Sequence, residues 1–342
     1  MRHPRTLTAL GAALVLTLAA CGDPGSADGG TADGGSAATT APADGGTSAA
    51  AAACEPIAGD QLVVLEDDQD LQTVDNVIPA VHASDAEPAM IAALDTVSAS
   101  LDTEALIELN RQVDVERSTS SEAAAAYFEE AGIDVADTSG SGDVVVGAGN
   151  FSESATLAEL YALALTEAGY TTEVRTIGNR ETYEPALESG ELTVVPEYVG
   201  TLTEFLNLKV NGADAEARAS SDLEATTEAL RELGEEVGLT FGEPSEAADQ
   251  NAYAVTTAFA DEYAVTTLSE LAETCGGGVV LGGPPECPDR PFCQPGLEET
   301  YGLTISEFVS LDAGGPLTKQ ALTSGEVSVG MVFSSDAALA EG

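Results

Sequence analysis

Two aromatic residues end similar stretches of sequence, and their positions suggest a binding cleft. Residues 186–198 (ALESGELTVVPEY) end in Tyr198, and residues 321–333 (ALTSGEVSVGMVF) end in Phe333. Each stretch runs from a helix end through Ser-Gly-Glu into an apolar strand, so both rings fall at the carboxyl end of a strand. In open α/β sheets, ligands bind in the crevice at that edge. The repeat predicts two similar α/β lobes that present rings to a shared cleft, with Thr201 close to Tyr198.

Catalytic groups are scarce by comparison. The chain has two histidines, His3 and His82, and His3 lies in a segment that we expect to be removed. A Ser-His-Asp or Cys-His mechanism would depend on His82 alone. The carboxylates are scattered without an evident pairing. The sequence therefore favours a binding protein over an enzyme, and it predicts no metal or other cofactor.

Acidic residues dominate the composition. The 342 residues include 59 Asp or Glu and 11 Lys or Arg, which gives a formal net charge of −48. Nucleic acid and anionic lipid surfaces are poor partners for such a chain on electrostatic grounds. Because the acids are spread along the sequence, they indicate a solvated surface suited to salt.

The amino-terminal segment is typical of an exported lipoprotein. Residues 1–20 carry Arg2 and Arg5 and then an apolar run that is too short to span a membrane. The segment ends Leu-Ala-Ala-Cys21, which resembles a lipobox and implies that Cys21 carries the lipid. An ordinary signal peptide with a chance cysteine is the alternative. Residues 21–53, rich in Gly, Ala, Ser, Thr and Asp, are expected to be a disordered tether.

Four further cysteines suggest two disulfides, because an even number is typical of exported proteins. Cys287 and Cys293 flank the short segment Pro-Asp-Arg-Pro-Phe, which favours pairing them and leaves Cys54 for Cys275. A zinc site is the alternative, although the chain contains no Cys-x-x-Cys.

Apolar periodicity predicts alternating strands and helices. The predicted strands or extended segments are 61–68, 75–79, 144–147, 172–177, 192–195 and 279–281. The predicted helices are 88–100, 103–112, 122–131, 153–168, 183–187, 223–237 and 268–274. Pro196 is expected to end its strand, a helix is expected to open after Gly200, and Asn150 is expected to cap the helix that follows it.

Five short motifs follow one another in the second part of the chain. They are Gly147-x-x-Asn-Phe-Ser-Glu153, Pro196-Glu-Tyr-Val-Gly-Thr201, Gln250-Asn-Ala-Tyr253, Asp289-Arg-Pro291 and Phe333-Ser-Ser-Asp336. In this combination the chain resembles the osmoprotectant-binding proteins of ABC importers, which capture glycine betaine, choline, carnitine and similar quaternary amines. The resemblance implies a two-lobed α/β fold of the periplasmic-binding-protein type II class, closing over its ligand by a hinge.

The order of the segments departs from that family. Family members continue from the last motif into a strand like Leu-Val-Val-Leu-Glu-Asp-Asp, which here stands near the beginning, at residues 62–68. The resemblance therefore implies a circular permutation, with a linker at 134–143 joining the old ends. One lobe would comprise residues 76–252, and the other residues 54–75 and 253–342. A truncated tandem of two copies is the alternative.

The resemblance also implies a set of ligand-binding residues. Aromatic faces attract a cationic nitrogen, including a quaternary ammonium that has no N–H to donate. Tyr198, Tyr253 and Phe333 match three aromatic corners of the family's cage, whereas Asp75 stands where members usually have tyrosine. A carboxylate there suits a trimethylammonium group, but it suits equally an amine or amino-acid-like ligand that keeps N–H donors. Asp75 could instead cap the next element.

Polar positions complete the expected site. Thr201 and Asn150 match positions near the ligand, and Ser152 belongs to the same motif as Asn150. Arg290 is either an anchor for a ligand carboxylate or a partner in a surface ion pair.

These expectations describe a monomeric lipoprotein on the outer face of the cytoplasmic membrane that delivers a small amine to an ABC permease. The competing hypotheses are an enzyme on the same fold and an envelope lipoprotein that takes no part in transport.

Overall fold

Strands and helices alternate along the chain, which confirms the predicted α/β class. The computed structural model describes residues 52–339; the expected signal segment 1–20, the lipidation site Cys21 and the tether up to residue 51 lie outside them. The strands are β1 (Leu62–Leu65), β2 (Val77–His82), β3 (Asp143–Gly149), β4 (Thr171–Gly178), β5 (Val194–Tyr198), β6 (Leu239–Phe241), β7 (Asn251–Thr256), β8 (Val279–Gly283), β9 (Ile305–Ser310) and β10 (Val329–Phe333).

The helices account for about half of the remaining described residues. They are α1 (Pro88–Ser98), α2 (Thr103–Asn110), α3 (Ser120–Glu130), α4 (Ser152–Glu167), α5 (Arg180–Glu188), α6 (Val199–Asn211), α7 (Leu223–Val237), α8 (Thr257–Tyr263), α9 (Leu268–Thr274), α10 (Gln294–Tyr301) and α11 (Pro316–Ser324). The sequence pattern predicted most of these elements but did not assign β6, β7, β9, α8 or α10. None of the described helices is both long enough and apolar enough to cross a membrane.

The strands form two five-stranded sheets of the same plan. The sheet with order β4-β3-β5-β2-β6 is called the β5 sheet, and the sheet with order β9-β8-β10-β7-β1 is called the β10 sheet. In each, a strand that runs antiparallel to its neighbours (β2 or β7) lies between the third strand and an outer strand. The two plans match strand for strand, except that β1 precedes β10 in the chain whereas its equivalent β6 follows β5.

Within residues 52–339 the chain crosses between the sheets twice, and the two crossings lie side by side. Residues 66–76 connect β1 to β2, and residues 242–250 connect β6 to β7. Asn76 and Ala248 form an isolated antiparallel bridge. The backbone N–H of Asp249 donates to the carbonyl of Asp75 at 3.0 Å. The crossings therefore form one paired segment that joins the two sheets.

The repeated sequence occupies equivalent places in the two sheets. Tyr198 is the last residue of β5 and Phe333 is the last residue of β10. The Ser-Gly-Glu turns before these strands put Gly190 and Gly325 at φ values of 75° and 71°. Only glycine adopts this left-handed region without a steric penalty, so the turn that aims each strand depends on it.

The strand that carries Tyr198 is longer than predicted. It continues through Pro196, which lies opposite Pro79 of β2, and α6 begins directly at Val199. Two prolines can face each other in an antiparallel ladder at a pair that exchanges no hydrogen bonds, so Pro196 does not end the strand. The expected cap at Asn150 was also wrong, because Phe151 occupies the position before α4 and no side chain caps that helix.

Two disulfides tie the chain together around the β10 sheet. They join Cys54 to Cys275 and Cys287 to Cys293, which is the pairing that the sequence favoured over a zinc site. All four cysteines are buried in the core on this side of the molecule. The first disulfide holds the segment before β1 next to the end of α9.

Removing the two disulfides should have unequal effects on stability. The Cys54–Cys275 bond closes a loop with a sequence separation of 221, whereas the other closes one of 6. In the chain-entropy model the double variant Cys54→Ser/Cys275→Ser loses about 5 kcal/mol of unfolding free energy, and Cys287→Ser/Cys293→Ser loses about 2 kcal/mol. Urea unfolding followed by circular dichroism measures both. Equal losses would contradict an effect dominated by loop length.

Candidate functional site

A cavity of about 400 Å³ opens between the β5 sheet and the β10 sheet. Asp75, Tyr198 and Thr201 line it from the side of the β5 sheet, and Asn251 and Phe333 line it from the side of the β10 sheet. Ligand sites of small-molecule binding proteins are concave and mostly apolar, with a few polar groups that fix the ligand's orientation. The cavity has this composition.

Three aromatic rings form a continuous cluster in the lining. The ring centroids of Phe151 and Tyr198 are 6.3 Å apart, and those of Phe151 and Phe333 are 5.6 Å apart. Phe151 thus connects the ring on β5 to the ring on β10. Phe151 was not predicted as a site residue, because a ring in a turn before a helix carries no periodic signal. The signal that could have identified it was its place in the Asn-Phe-Ser-Glu motif.

Asp75 lies in the first crossing and caps the start of α6. Its Oδ1 accepts hydrogen bonds from the backbone N–H groups of Gly200 at 2.9 Å and Thr201 at 3.0 Å. The side chain is buried, with 5% of its surface exposed. Burial raises the pKa of Asp75 to about 7, although the Thr201 N–H and the nearby Arg180 favour the charged form. Asp75 is therefore both a lining residue and a cap, although the helix that it caps is distant in sequence.

A buried ion pair between Arg180 and Glu197 holds the side chain of Thr201. Arg180 binds both carboxylate oxygens of Glu197, at 2.9 and 2.6 Å, and also donates to Oγ1 of Thr201 at 2.9 Å. Tyr183 donates to the same carboxylate at 2.9 Å. Burial opposes the charge on Arg180, but the adjacent Glu197 more than offsets it and raises the pKa of Arg180. The pair fixes the end of β5 and the first turn of α6.

A second buried network lies beneath Tyr198. Glu153 on α4 accepts hydrogen bonds at 2.6 Å from Asn110, from the Tyr198 hydroxyl and from the Ser335 hydroxyl. Asp249, in the second crossing, accepts from the backbone N–H of Ser335 at 2.9 Å. Ser335 follows β10, so the two acids connect both sheets to the crossing.

Both carboxyl groups of this network are costly to ionise. Burial raises the pKa of Glu153 against the hydrogen bonds from Ser335, Tyr198 and Asn110. Burial, followed by repulsion from Glu153, raises the pKa of Asp249 well above its ordinary value. A carboxyl group next to another carboxylate in a dry site holds its proton more tightly.

Every basic residue of the lining already has carboxylate partners. Besides Arg180, Lys209 pairs with Glu184 and Glu188 at 2.6 and 2.7 Å. Arg290 makes two hydrogen bonds to Glu181 of α5, at 3.1 and 3.0 Å, and lies 3.4 Å from Glu286. The predicted alternative of an ion pair at Arg290 thus describes its contacts, and this pair also spans the mouth of the cavity between the two sheets.

Tyr253 requires a correction to the site expected from the sequence. Its side chain is 1% exposed, is absent from the cavity lining and packs in the core of the β10 sheet. Its hydroxyl donates to the carbonyl of Phe292 at 2.9 Å, and Asn251 donates to the same carbonyl at 3.0 Å. The loop closed by Cys287 and Cys293 therefore covers Tyr253 and separates it from the cavity.

Ser152 and Asn150 lie toward a second cavity of about 360 Å³, beyond the aromatic cluster. Ser152 lines only this second cavity and donates to Asp114 at 3.2 Å. Asn150 is exposed and lines both cavities, as do Phe151 and Phe333. Tyr198, Thr201, Phe333, Asp75 and Arg290 thus meet in the first cavity with Asn150 at its border, whereas Tyr253 and Ser152 do not.

The buried carboxyl pair of Glu153 and Asp249 predicts an unusual pH dependence of stability. Because folding raises the pKa of Asp249, its stabilising contribution is complete below its ordinary pKa of about 4 and is lost as pH rises through the raised value. Asp249→Asn keeps an oxygen for the Ser335 N–H and cannot ionise. As pH rises from mildly acidic to mildly alkaline, the free energy of unfolding should decrease by about 1–3 kcal/mol less in Asp249→Asn than in the parent.

Chemical denaturation at several pH values measures this difference. Glu129→Gln, which removes one charge from the exposed face of α3, is the matched control and should follow the parent. Parallel pH profiles for the parent and Asp249→Asn would show that the carboxyl pair does not hold a proton.

Comparisons with known proteins place this chain in a family. The family model for the substrate binding domain of ABC-type glycine betaine transport systems matches residues 49–130 and 142–341. A solved glycine betaine/carnitine/choline ABC transporter structure shares 20% identity over 58% of this chain and 71% of its own, with a TM-score of 0.37.

Two peptide-binding structures are more distant. The unliganded open form of MppA, a periplasmic murein tripeptide binding protein, shares 12% identity over 54% of this chain and 44% of its own, with a TM-score of 0.26. Haemophilus influenzae OppA, solved with the peptide RPPGFSPFR, shares 10% identity over the same fractions of each chain, with a TM-score of 0.26. The assignment rests on the family model, which spans well over half of the chain. This chain therefore belongs to the family of substrate-binding domains of ABC-type glycine betaine transport systems and has the two-lobed α/β fold of that class.

Proposed function

We propose that this protein captures a small amine of the glycine betaine type in the cavity between the two sheets and delivers it to a membrane permease. The observation that carries the proposal is the cluster of Phe151, Tyr198 and Phe333 in the cavity lining. A cationic nitrogen over an aromatic face gains about 0.5–2 kcal/mol, more when water is excluded. Rings supplied by both sheets can surround such a nitrogen when the cleft closes.

The charge of the lining also supports a cationic ligand. Acidic side chains outnumber basic ones there, and the basic ones are engaged by carboxylates. The acidic lining residues are Asp75, Glu181, Glu204, Asp249, Glu286 and Asp289. A ligand with a positive end therefore enters a cavity whose field favours it.

Closure would occur about the paired crossings. Within residues 52–339 the sheets are connected by segments 66–76 and 242–250, and a bend of both would change the separation of Phe333 from Tyr198. Hinges of this kind absorb domain closure in a few residues at the ends of elements. The Arg290–Glu181 ion pair already joins the sheets across the cavity mouth, so opening of the cleft would break it.

The lobes correspond to residues 76–252 on one side and to residues 54–75 and 253–342 on the other. The mature protein is a monomer, held by a lipid on Cys21 at the outer face of the cytoplasmic membrane, with residues 21–53 as the tether. Its partner is an ABC permease.

We also propose that the chain is a circular permutant. The family model matches it in two segments, and the break at 131–141 overlaps the expected linker at 134–143. In addition, β1 occupies the place in the β10 sheet that β6 occupies in the β5 sheet, yet it precedes the other strands of its sheet in the chain. Leu339 and Leu62 pack against one hydrophobic cluster, so a short connection could join them.

Replacing rings of the cluster should weaken ligand binding. Phe151→Leu and Phe333→Leu keep apolar volume but remove the ring quadrupole, so each should raise the dissociation constant by about 3- to 30-fold. Isothermal titration calorimetry with glycine betaine, choline and carnitine measures the change. Tyr253→Phe is the control and should leave affinity unchanged, because it removes a hydroxyl that donates to the Phe292 carbonyl and does not line the cavity. Loss of affinity in the control alone would reject this cluster as the site.

Restoring the family order should preserve the fold. In the test variant the chain begins at Asp143, runs to Leu339, continues through a short Gly-Ser connection to residue 52 and ends at Ile133. We expect one cooperative thermal transition, both disulfides and the same calorimetric ligand profile as the parent. A variant that is expressed and oxidised but unfolds in two separate transitions would contradict the permutation.

A further inference from the structure

The two oxygens of the Asp75 carboxylate have different roles. Oδ1 accepts the N–H groups of Gly200 and Thr201 and lies 3.4 Å from the Thr201 hydroxyl. Oδ2 accepts no hydrogen bond from any residue between 52 and 339, although Asp75 is 5% exposed and lines the cavity. One oxygen is thus held by the helix, and the other is left to whatever occupies the cavity.

Asp75 and the three rings of the aromatic cluster line the same cavity. Asp75 accepts from the backbone N–H groups of Gly200 and Thr201, the second and third residues of α6, and this helix begins directly after Tyr198. The cations of the lining do not satisfy Oδ2, because Arg180 donates to Glu197 and Thr201 and the other two pair elsewhere. An occupant of the cavity therefore faces rings and a carboxylate oxygen together.

The rings and the free carboxylate oxygen together distinguish amines by the number of methyl groups on the nitrogen. A fully methylated ammonium satisfies the rings but has no N–H, so it would cover Oδ2 of Asp75 without giving it a hydrogen bond. An unsatisfied buried acceptor is unfavourable, and hydrogen bonds to charged groups are among the stronger ones in proteins. An ammonium that keeps one N–H can bind the rings through its alkyl groups and donate to Oδ2.

We propose that the ligand is a small amine whose cationic nitrogen retains at least one N–H, donated to Oδ2 of Asp75 within the Phe151–Tyr198–Phe333 cluster. This inference rests on the proposed function and narrows its ligand class. Asp75 is then the residue that determines specificity, in place of a further aromatic corner. The ionisation of Asp75 agrees with this role: burial raises its pKa to about 7, and a bound cation would favour the charged form and release a proton near that pH.

Two pairs of probes isolate the N–H. Trimethylammonium and tetramethylammonium differ by one N–H against one methyl group, and so do N,N-dimethylglycine and glycine betaine. All four carry a positive nitrogen at neutral pH, and the second pair keeps the carboxylate constant. With the parent protein we expect the N–H member of each pair to bind at least about tenfold more tightly.

Asp75→Asn tests the residue itself. Asparagine can keep its side-chain oxygen on the Gly200 and Thr201 N–H groups while its amide nitrogen replaces Oδ2, so the cap on α6 is retained. The preference within each pair should fall to about twofold or less. Asp289→Asn removes an equal charge from the lining and should keep the preference. Titrations in buffers of different ionisation enthalpy should show proton release near pH 7 for the parent but not for Asp75→Asn.

The outcomes separate this inference from the proposed function. If glycine betaine or tetramethylammonium binds the parent as tightly as its N–H counterpart, Asp75 does not select for the N–H and the inference is overturned while the binding function stands. The same conclusion follows if Asp75→Asn retains the parent's preference. If the parent binds neither these probes nor choline and carnitine, the proposed function is rejected and the inference falls with it.

Discussion

The side-by-side pairing of the two crossings is the constraint on which this structure depends. It joins two sheets of the same plan through residues 66–76 and 242–250, and it places Asp75 and Asp249 next to each other at the floor of the cleft. From there Asp75 reaches the first turn of α6, and Asp249 reaches Ser335 after β10. The ends of both ring-bearing strands are thus anchored to the same pair of backbone segments.

Buried acids at this point are unfavourable for folding alone, since each must be desolvated and each repels the others. The raised pKa values of Asp75, Glu153 and Asp249 express that cost. Backbone N–H groups and hydroxyls offset part of it, and for Asp75 a cationic ligand would offset more. Strongly perturbed groups that converge on a cavity are typical of functional sites. A positive charge in the cavity would therefore reduce the cost of keeping Asp75 ionised.

The sequence predicted which strand ends carry site residues better than it predicted which residues line the cavity. The repeat placed Tyr198 and Phe333 at equivalent strand ends, and both line the cavity. The same reasoning assigned Tyr253 to the cage, but the ring lies beneath the Cys287–Cys293 loop. Phe151 bridges the two predicted rings and was not singled out. Pro196 was expected to end a strand, but the strand continues through it, opposite Pro79 in the neighbouring strand.

The sequence by itself determined the α/β class, most of the strands and helices, the favoured cysteine pairing and the two strand ends that carry rings. These features follow from local periodicity, from turn glycines and from short spacings. Only the tertiary structure decided which rings meet the cavity and how the oxygens of Asp75 are used. Those outcomes depend on contacts between distant segments: the Phe292 carbonyl over Tyr253, and the start of α6 against the first crossing. Local sequence sets the direction of a side chain, but the segment that packs against it determines whether it faces core or ligand.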